Sequence, residues 1–177
     1  MSQFENIYLI GLMGAGKTTV GKQLAKARQC AFYDSDKAIE ENTGVDIPTI
    51  FDFEGEQGFR VREQKMIEQL TNLQGIVLAT GGGAILNAEN RNNLKAKGFV
   101  VYLNCGIEKI LQRTRNDNQR PLLQTEDRRL KIEQLFQERD PFYRECADFI
   151  IDTGRLPNKV VIQHILSAQQ GKKINLQ

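Results

Sequence analysis

The feature that most restricts this chain is the run Gly-Leu-Met-Gly-Ala-Gly-Lys-Thr from Gly11 to Thr18, which directly follows the short apolar segment Asn6 to Ile10. It fits the phosphate-binding template G-x-x-x-x-G-K-[ST], which has meaning only between a strand and a helix. A phosphate spreads its charge over several oxygens, so its site needs many donors on a backbone that can come close. Glycines permit that approach because they lack Cβ and tolerate positive φ. The helix expected from Lys17 onward adds unpaired N–H groups and the positive end of its dipole. Gly14, Ala15, Gly16, Lys17, Thr18 and Thr19 are therefore the expected contacts to a nucleoside triphosphate. Lys17 would reach the outer phosphates and Thr18 would supply a hydroxyl to Mg²⁺. The motif names the donor of a reaction, not the reaction.

The rest of the chain alternates apolar runs with helical patterns. Strands are expected at Asn6 to Ile10, Ala31 to Tyr33, Ile76 to Ala79, Phe99 to Leu103 and Phe149 to Ile151. Between them lie helices with apolar spacing, one of them from Asn87 to Lys97 with Gly98 as its cap. This alternation predicts a three-layer α/β/α domain with a parallel sheet. With 177 residues and 40% hydrophobic composition, one such domain covers residues 1 to 177. The 24 basic and 22 acidic residues are scattered and form no nucleic-acid stripe. Cys30, Cys105 and Cys146 are far apart and odd in number, which fits reduced thiols and a cytoplasmic location. Met1 to Ile10 has no signal-peptide pattern, and no apolar run reaches membrane-spanning length. The polar tail from Gln169 to Gln177 is expected to fray.

In a parallel sheet the ligand sits at the carboxyl ends of the strands. After the second strand come Asp34 and Asp36, placed on an extended segment with one available to the metal and the other to an acceptor. After the third come Gly81, Gly82 and Gly83, where close approach of a ligand or positive φ would justify three glycines. That strand ends without the aspartate that often holds the metal's water shell, which leaves Asp34 as the natural partner of Thr18. Asp52-Phe-Glu-Gly55 matches a GTPase pattern, but no base-reading motif follows and the match is taken as chance.

Two arginines lie on helical faces. Arg139 interrupts the stripe Ile132, Leu135, Phe136, Tyr143, and a charge on an apolar face must find an anion. Arg60 and Glu63 share a face with Ile67 and Leu70, so Glu63 can hold Arg60 in place. A structural salt bridge would explain either arginine alone; together, beside a phosphate loop, they indicate an anionic co-substrate such as a carboxylate. Arg120 sits in the polar stretch Asn116 to Glu126, placed to act from a mobile lid or simply to be solvated.

These motifs, taken with Phe59-Arg60, Arg120-Pro-Leu-Leu123 and Arg139-Asp-Pro-Phe-Tyr143, resemble the shikimate kinase family of nucleoside-monophosphate-kinase-like proteins from about Asn6 to Leu166. The resemblance implies a five-stranded parallel sheet of order 2-3-1-4-5, a substrate-binding segment at about 34–62, and a lid at about 114–126. It implies transfer of the γ-phosphoryl group of ATP to the 3-hydroxyl of shikimate, with Mg²⁺ as cofactor, in a monomeric cytoplasmic enzyme of aromatic amino acid biosynthesis. By position it assigns Lys17, Asp36 and Arg120 to catalysis, and Thr18 and Asp34 to the metal. Asp36, Arg60, Gly81, Gly82, Gly83 and Arg139 are assigned to shikimate, with Glu63 behind Arg60. Arg113 and Arg155 are assigned to flank adenine, and Arg120 to close on the phosphates. A gluconate kinase, a nucleoside monophosphate kinase and a non-catalytic ATP-binding module are the rival readings. Nucleic acid and membrane partners are not expected.

Overall fold

The computed structural model describes residues 5–175. Five strands, β1 (Asn6–Ile10), β2 (Phe32–Asp34), β3 (Val77–Ala79), β4 (Gly98–Asn104) and β5 (Phe149–Asp152), form one sheet of order β2-β3-β1-β4-β5. All four pairings are parallel. The continuous apolar runs follow from this position. Ile7 through Ile10 and Val100, Val101 and Leu103 are almost fully excluded from solvent, as strands covered on both faces require. β1 sits at the centre, with Leu9 in register with Ala79 on one side and Val101 on the other. The chain runs first to β2 and β3 on one flank and then crosses to β4 and β5. The order thus reverses at β1, and a crevice opens at its carboxyl end.

The crossovers are α1 (Lys17–Arg28), α2 (Ser35–Thr43), α3 (Ile47–Thr71), α4 (Ala88–Lys97), α5 (Ile107–Arg113), α6 (Arg128–Cys146) and α7 (Asn158–Asn175). Their starts use side-chain caps: Asp34 for α2, Asp46 for α3, Asn87 for α4 and Asp127 for α6. α3 is two helical stretches run together at residue 55. Gly55 breaks it, with φ 70° and ψ 179°, and Arg62 spans the break with two bonds to the Glu54 carboxylate.

Two expectations are corrected and a third gains a further reason. Asp36 does not continue an extended strand; it lies in the first turn of α2, because Asp34 caps that helix at once. Gly98 caps α4 as expected, in an extended conformation. It is the first residue of β4, extended at φ −168°, where a Cβ would stand 2.5 Å from the Tyr8 ring and 2.8 Å from the Asn6 carbonyl oxygen. Its lack of a side chain lets β4 lie against β1. The tail does not fray from Gln169, since α7 continues to Asn175. Gln169 is buried and its Nε2 donates to the Glu5 carbonyl at 3.3 Å, which gives the polar end of the helix a fixed partner. Leu176 and Gln177 lie outside the described residues.

Candidate functional site

β1 delivers the chain into the loop, and the loop conformation needs its glycines: Gly14 has φ 77° and Gly16 φ 97°, both left-handed. The turn is then held from outside. Thr153, just past β5, donates from its hydroxyl to the Ala15 carbonyl at 2.9 Å, and Arg113 Nη1 donates to the Gly14 carbonyl at 3.0 Å. Lys17 opens α1 and folds back over the loop, with Nζ donating to the Gly11 and Leu12 carbonyls at 2.6 and 2.8 Å. An ammonium has three N–H groups, so one remains for an anion in the cleft. Burial pushes the Lys17 pKa down to about 7, and the Arg120 charge pushes the same way. A bound phosphate would oppose both effects and favour the charged form.

Next to Lys17, the Thr18 hydroxyl donates to Asp34 Oδ2 at 2.7 Å, while Asp34 Oδ1 accepts from the Asp36 backbone N–H at 3.0 Å. A hydroxyl and a carboxylate at one point are hard oxygen donors that suit Mg²⁺, which takes few protein ligands and completes its shell with phosphates and water. No cluster of three or more His, Cys, Asp or Glu side chains able to hold a metal occurs among the described residues. Thr18 and Asp34 could hold part of the shell of such a cation.

The other half of the site is built around the glycines after β3. Gly81 to Gly83 were expected to exploit positive φ or backbone approach to a ligand; none of them has positive φ. They are needed because charged side chains converge there. A Cβ on Gly81 would stand 2.7 Å from Asp36 Oδ1 and 2.8 Å from Glu63 Oε2. A Cβ on Gly82 would stand 3.3 Å from Arg139 Nη1, and one on Gly83 within 2.3 to 2.6 Å of the Arg60 guanidinium. Two acids and two arginines thus meet at three consecutive residues without side chains.

The bonding of this quartet is incomplete within the protein. Arg60 Nη1 donates to Glu63 Oε1 at 2.8 Å and its Nη2 to Glu56 Oε1 at 3.2 Å. Arg139 is 1% exposed, yet its Nε and Nη1 have no hydrogen-bond partner among the described residues. Asp36 Oδ1 and Glu63 Oε2 are likewise buried without a partner. Buried polar atoms left in this state are costly, those of a charged group most of all. Burial raises the Asp36 pKa to about 6, with the nearby Asp34 charge adding to it, and burial raises Glu63 to about 7 against the pull of Arg60. Such perturbation beside a cleft is characteristic of working residues.

An open cleft of about 1030 Å³ joins the two halves, lined by Lys17, Thr18, Asp34, Asp36, Gly82 and Arg120 among others. Arg60 and Arg139 do not line this open part; they reach the glycine segment that does. Arg113 and Thr19 line it, but Arg155 does not; Asn158, three residues on, occupies that edge. Arg120 reaches the cleft with Asp117, to which its Nη1 is bonded.

Several supporting residues carried no recognisable signal in the sequence. Ser35 Oγ accepts from the Gly81 N–H at 2.9 Å, and the Tyr143 hydroxyl donates to the Gly82 carbonyl at 2.5 Å. These two bonds, with Thr153 beneath the loop, fix the backbone that the charged groups surround. Tyr143 stands one helical turn after Arg139, but by type and spacing it reads as an ordinary core residue.

Residues 13–170 match the family model for shikimate kinase. A shikimate kinase of Methylococcus capsulatus is 53% identical over 170 residues, covering 96% of this chain and 95% of its own. One from Thiobacillus denitrificans is 58% identical over 155 residues, covering 88% and 85%. Among solved structures, the shikimate kinase from Acinetobacter baumannii in complex with shikimate gives a TM-score of 0.94 at 49% identity, covering 96% of this chain and 95% of that one. The shikimate kinase from Aquifex aeolicus gives 0.82 at 35% identity, covering 95% and 98%.

Proposed function

The chain belongs to the shikimate kinase family, and from that premise we propose that its cleft transfers the γ-phosphoryl group of ATP to the 3-hydroxyl of shikimate, giving ADP and shikimate 3-phosphate. The observation that carries the acceptor assignment is Arg139, a buried guanidinium with Nε and Nη1 unpartnered beside Gly82. Charged donors buried without a partner need an anionic acceptor, and a substrate carboxylate supplies one. Arg60, fixed by Glu63, supplies the second cation.

With the carboxylate anchored there, a hydroxyl on the same small ring lies near Asp36. Its unpartnered Oδ1 accepts the hydroxyl proton and aims the oxygen at the triphosphate. A pKa raised to about 6 leaves Asp36 ionised at neutral pH and still basic enough to assist. On the donor side, the loop N–H groups and Lys17 hold the phosphates in line with that oxygen. Arg120 supplies charge to the transferring group from the lid. Thr18 and Asp34 would hold Mg²⁺, which when bound neutralises charge on the β- and γ-phosphate oxygens. Arg113 lines the cleft and flanks the adenine; Arg155, which lies outside the open cleft, would have to reach it from the loop after β5. The enzyme acts as a soluble cytoplasmic monomer; among the described residues no helix is long and apolar enough to cross a membrane.

The test is ADP release with ATP and Mg²⁺ in the presence of shikimate, gluconate or nucleoside monophosphates in turn. Turnover that depends on shikimate alone supports the reading. Turnover with gluconate or a nucleotide instead would replace it, and binding of ATP with no acceptor-dependent turnover would favour a non-catalytic module.

A further inference from the structure

Arg120 lies in the connection between α5 and α6, just before the single 3-10 turn Pro121–Leu123, so something besides a long element must determine where its guanidinium points. We propose that Asp117 is a positioning residue for Arg120, holding it over the phosphate loop before and during phosphoryl transfer. This rests on the reading that Arg120 acts on the transferring phosphate.

The geometry around Asp117 is that of a built support. Its backbone N–H donates to the Thr114 carbonyl at 3.1 Å, at the end of α5, which anchors it to a regular element. Its Oδ1 accepts from the Gln119 N–H at 2.9 Å, closing the turn that leads to Arg120. Its Oδ2 takes Arg120 Nη1. Its carbonyl receives Arg128 Nη2 at 3.3 Å and Gln124 Nε2 at 3.4 Å, and Arg128 Nη1 also donates to the Arg115 carbonyl at 2.7 Å. Gln124 Nε2 reaches the Arg120 carbonyl at 3.3 Å as well. One aspartate therefore fixes both the turn and the side chain of the lid arginine, and the start of α6 ties the turn down.

The consequence is electrostatic as well as steric. Asp117, Arg120 and Lys17 line the same cleft, and the Arg120 charge is felt by both Lys17 and Asp36. Two cations facing an empty cleft repel; a carboxylate bonded to one of them offsets that repulsion and leaves Nη2 and Nε of Arg120 to meet phosphate oxygens. A guanidinium has five N–H donors in a rigid plane, so fixing one end orients the other. An exposed i,i+3 ion pair alone would be weak. Here the carboxylate is already immobilised by Gln119, so little further ordering is needed.

The discriminating variant is Asp117→Asn, whose amide oxygen can still accept from the Gln119 N–H but whose charge is gone. Its kcat should fall about tenfold, with shikimate binding and thermal midpoint unchanged. Arg120→Ala should lose on the order of 10³ in kcat. In the Arg120→Ala background, Asp117→Asn should cause no further loss, and Asp117→Glu should recover part of the single-variant defect. Wild-type kcat in Asp117→Asn, or losses that multiply in the double variant, would overturn the proposal while leaving the role of Arg120 intact. Wild-type kcat in Arg120→Ala would instead remove the reading on which it rests.

Discussion

The two halves of the cleft solve the same problem, holding an anion, by opposite means. The donor half uses backbone. Gly14 and Gly16 adopt conformations that aim N–H groups inward, and Thr153 and Arg113 brace the loop by its carbonyls. The acceptor half uses side chains. Asp36, Arg60, Glu63 and Arg139 arrive from three helices and meet over glycines whose backbone is unstrained. A backbone site tolerates changes in the residues around it but not in its own conformation. A side-chain site is the reverse: its frame can be ordinary, and Asp36, Glu63 and Arg139 matter individually because each is buried with atoms left unpaired.

The sharpest way to break this contrast is Asp36→Asn. Its kcat should fall by about 10² to 10⁴ while ATP affinity, measured by equilibrium titration, stays near wild type. Near-normal turnover would mean that the hydroxyl needs no carboxylate. Arg139→Ala comes next. Loss of a buried cation facing the substrate anion should raise the shikimate KM about a hundredfold and spare ATP binding, and Arg139→Lys should restore little because one ammonium cannot place donors at both the Nε and Nη1 positions. An unchanged KM would make Arg139 a structural residue.

A paired comparison then tests the two uses of glycine. Gly83→Ala puts a methyl into the Arg60 guanidinium and should weaken shikimate binding about tenfold. Gly16→Ala forces a side chain into the left-handed region at φ 97°, a cost of about 1 to 2 kcal/mol, and should weaken ATP binding by a comparable factor. If each variant affected both substrates equally, the separation of the halves would fail.

The smallest effect concerns pH. Burial lifts the Glu63 pKa from 4.5 to about 7, so between those values the folded protein keeps a proton that the unfolded chain has released. The contribution of this group to stability is full below about pH 4.5 and is lost as pH rises toward 7. The thermal midpoint of Glu63→Gln minus that of the wild type should therefore climb by a few degrees over this interval and level off above it. A flat difference would show that Glu63 titrates normally.

The donor half was legible because its chemistry forces a local string: conformation, close approach and a lysine must fall at fixed spacings. The sheet was legible because strands covered on both faces must be continuously apolar. Arg139 stood out for a related reason, as a charge where the helical period demands an apolar residue. What escaped were contacts between ordinary residue types distant in sequence. Nothing about Ser35, Tyr143 or Thr153 marks them as braces, since serines, tyrosines and threonines elsewhere bond to whatever backbone is near. Glycine was the most ambiguous letter. Of the two reasons the sequence offers for Gly81 to Gly83, positive φ is absent and close packing of charged side chains takes its place, and Gly98, the cap of α4, also serves a steric fit against Tyr8. Gln169 looked like solvated tail because its partner, the Glu5 carbonyl, lies 164 positions away.

Asp34 divides its labour by atom, with Oδ1 on the backbone N–H groups that open α2 and Oδ2 on the Thr18 hydroxyl. This sets a narrow tolerance for change at that position. Glutamate would carry the charge but overreach the cap, serine would cap but bring no charge, and asparagine would cap while presenting an amide to a cation. Because the turn opened by Oδ1 carries Asp36, a substitution made to probe the metal would also move the group that faces the acceptor. The shortest carboxylate is the one side chain that meets both demands, and the two halves of the cleft share it.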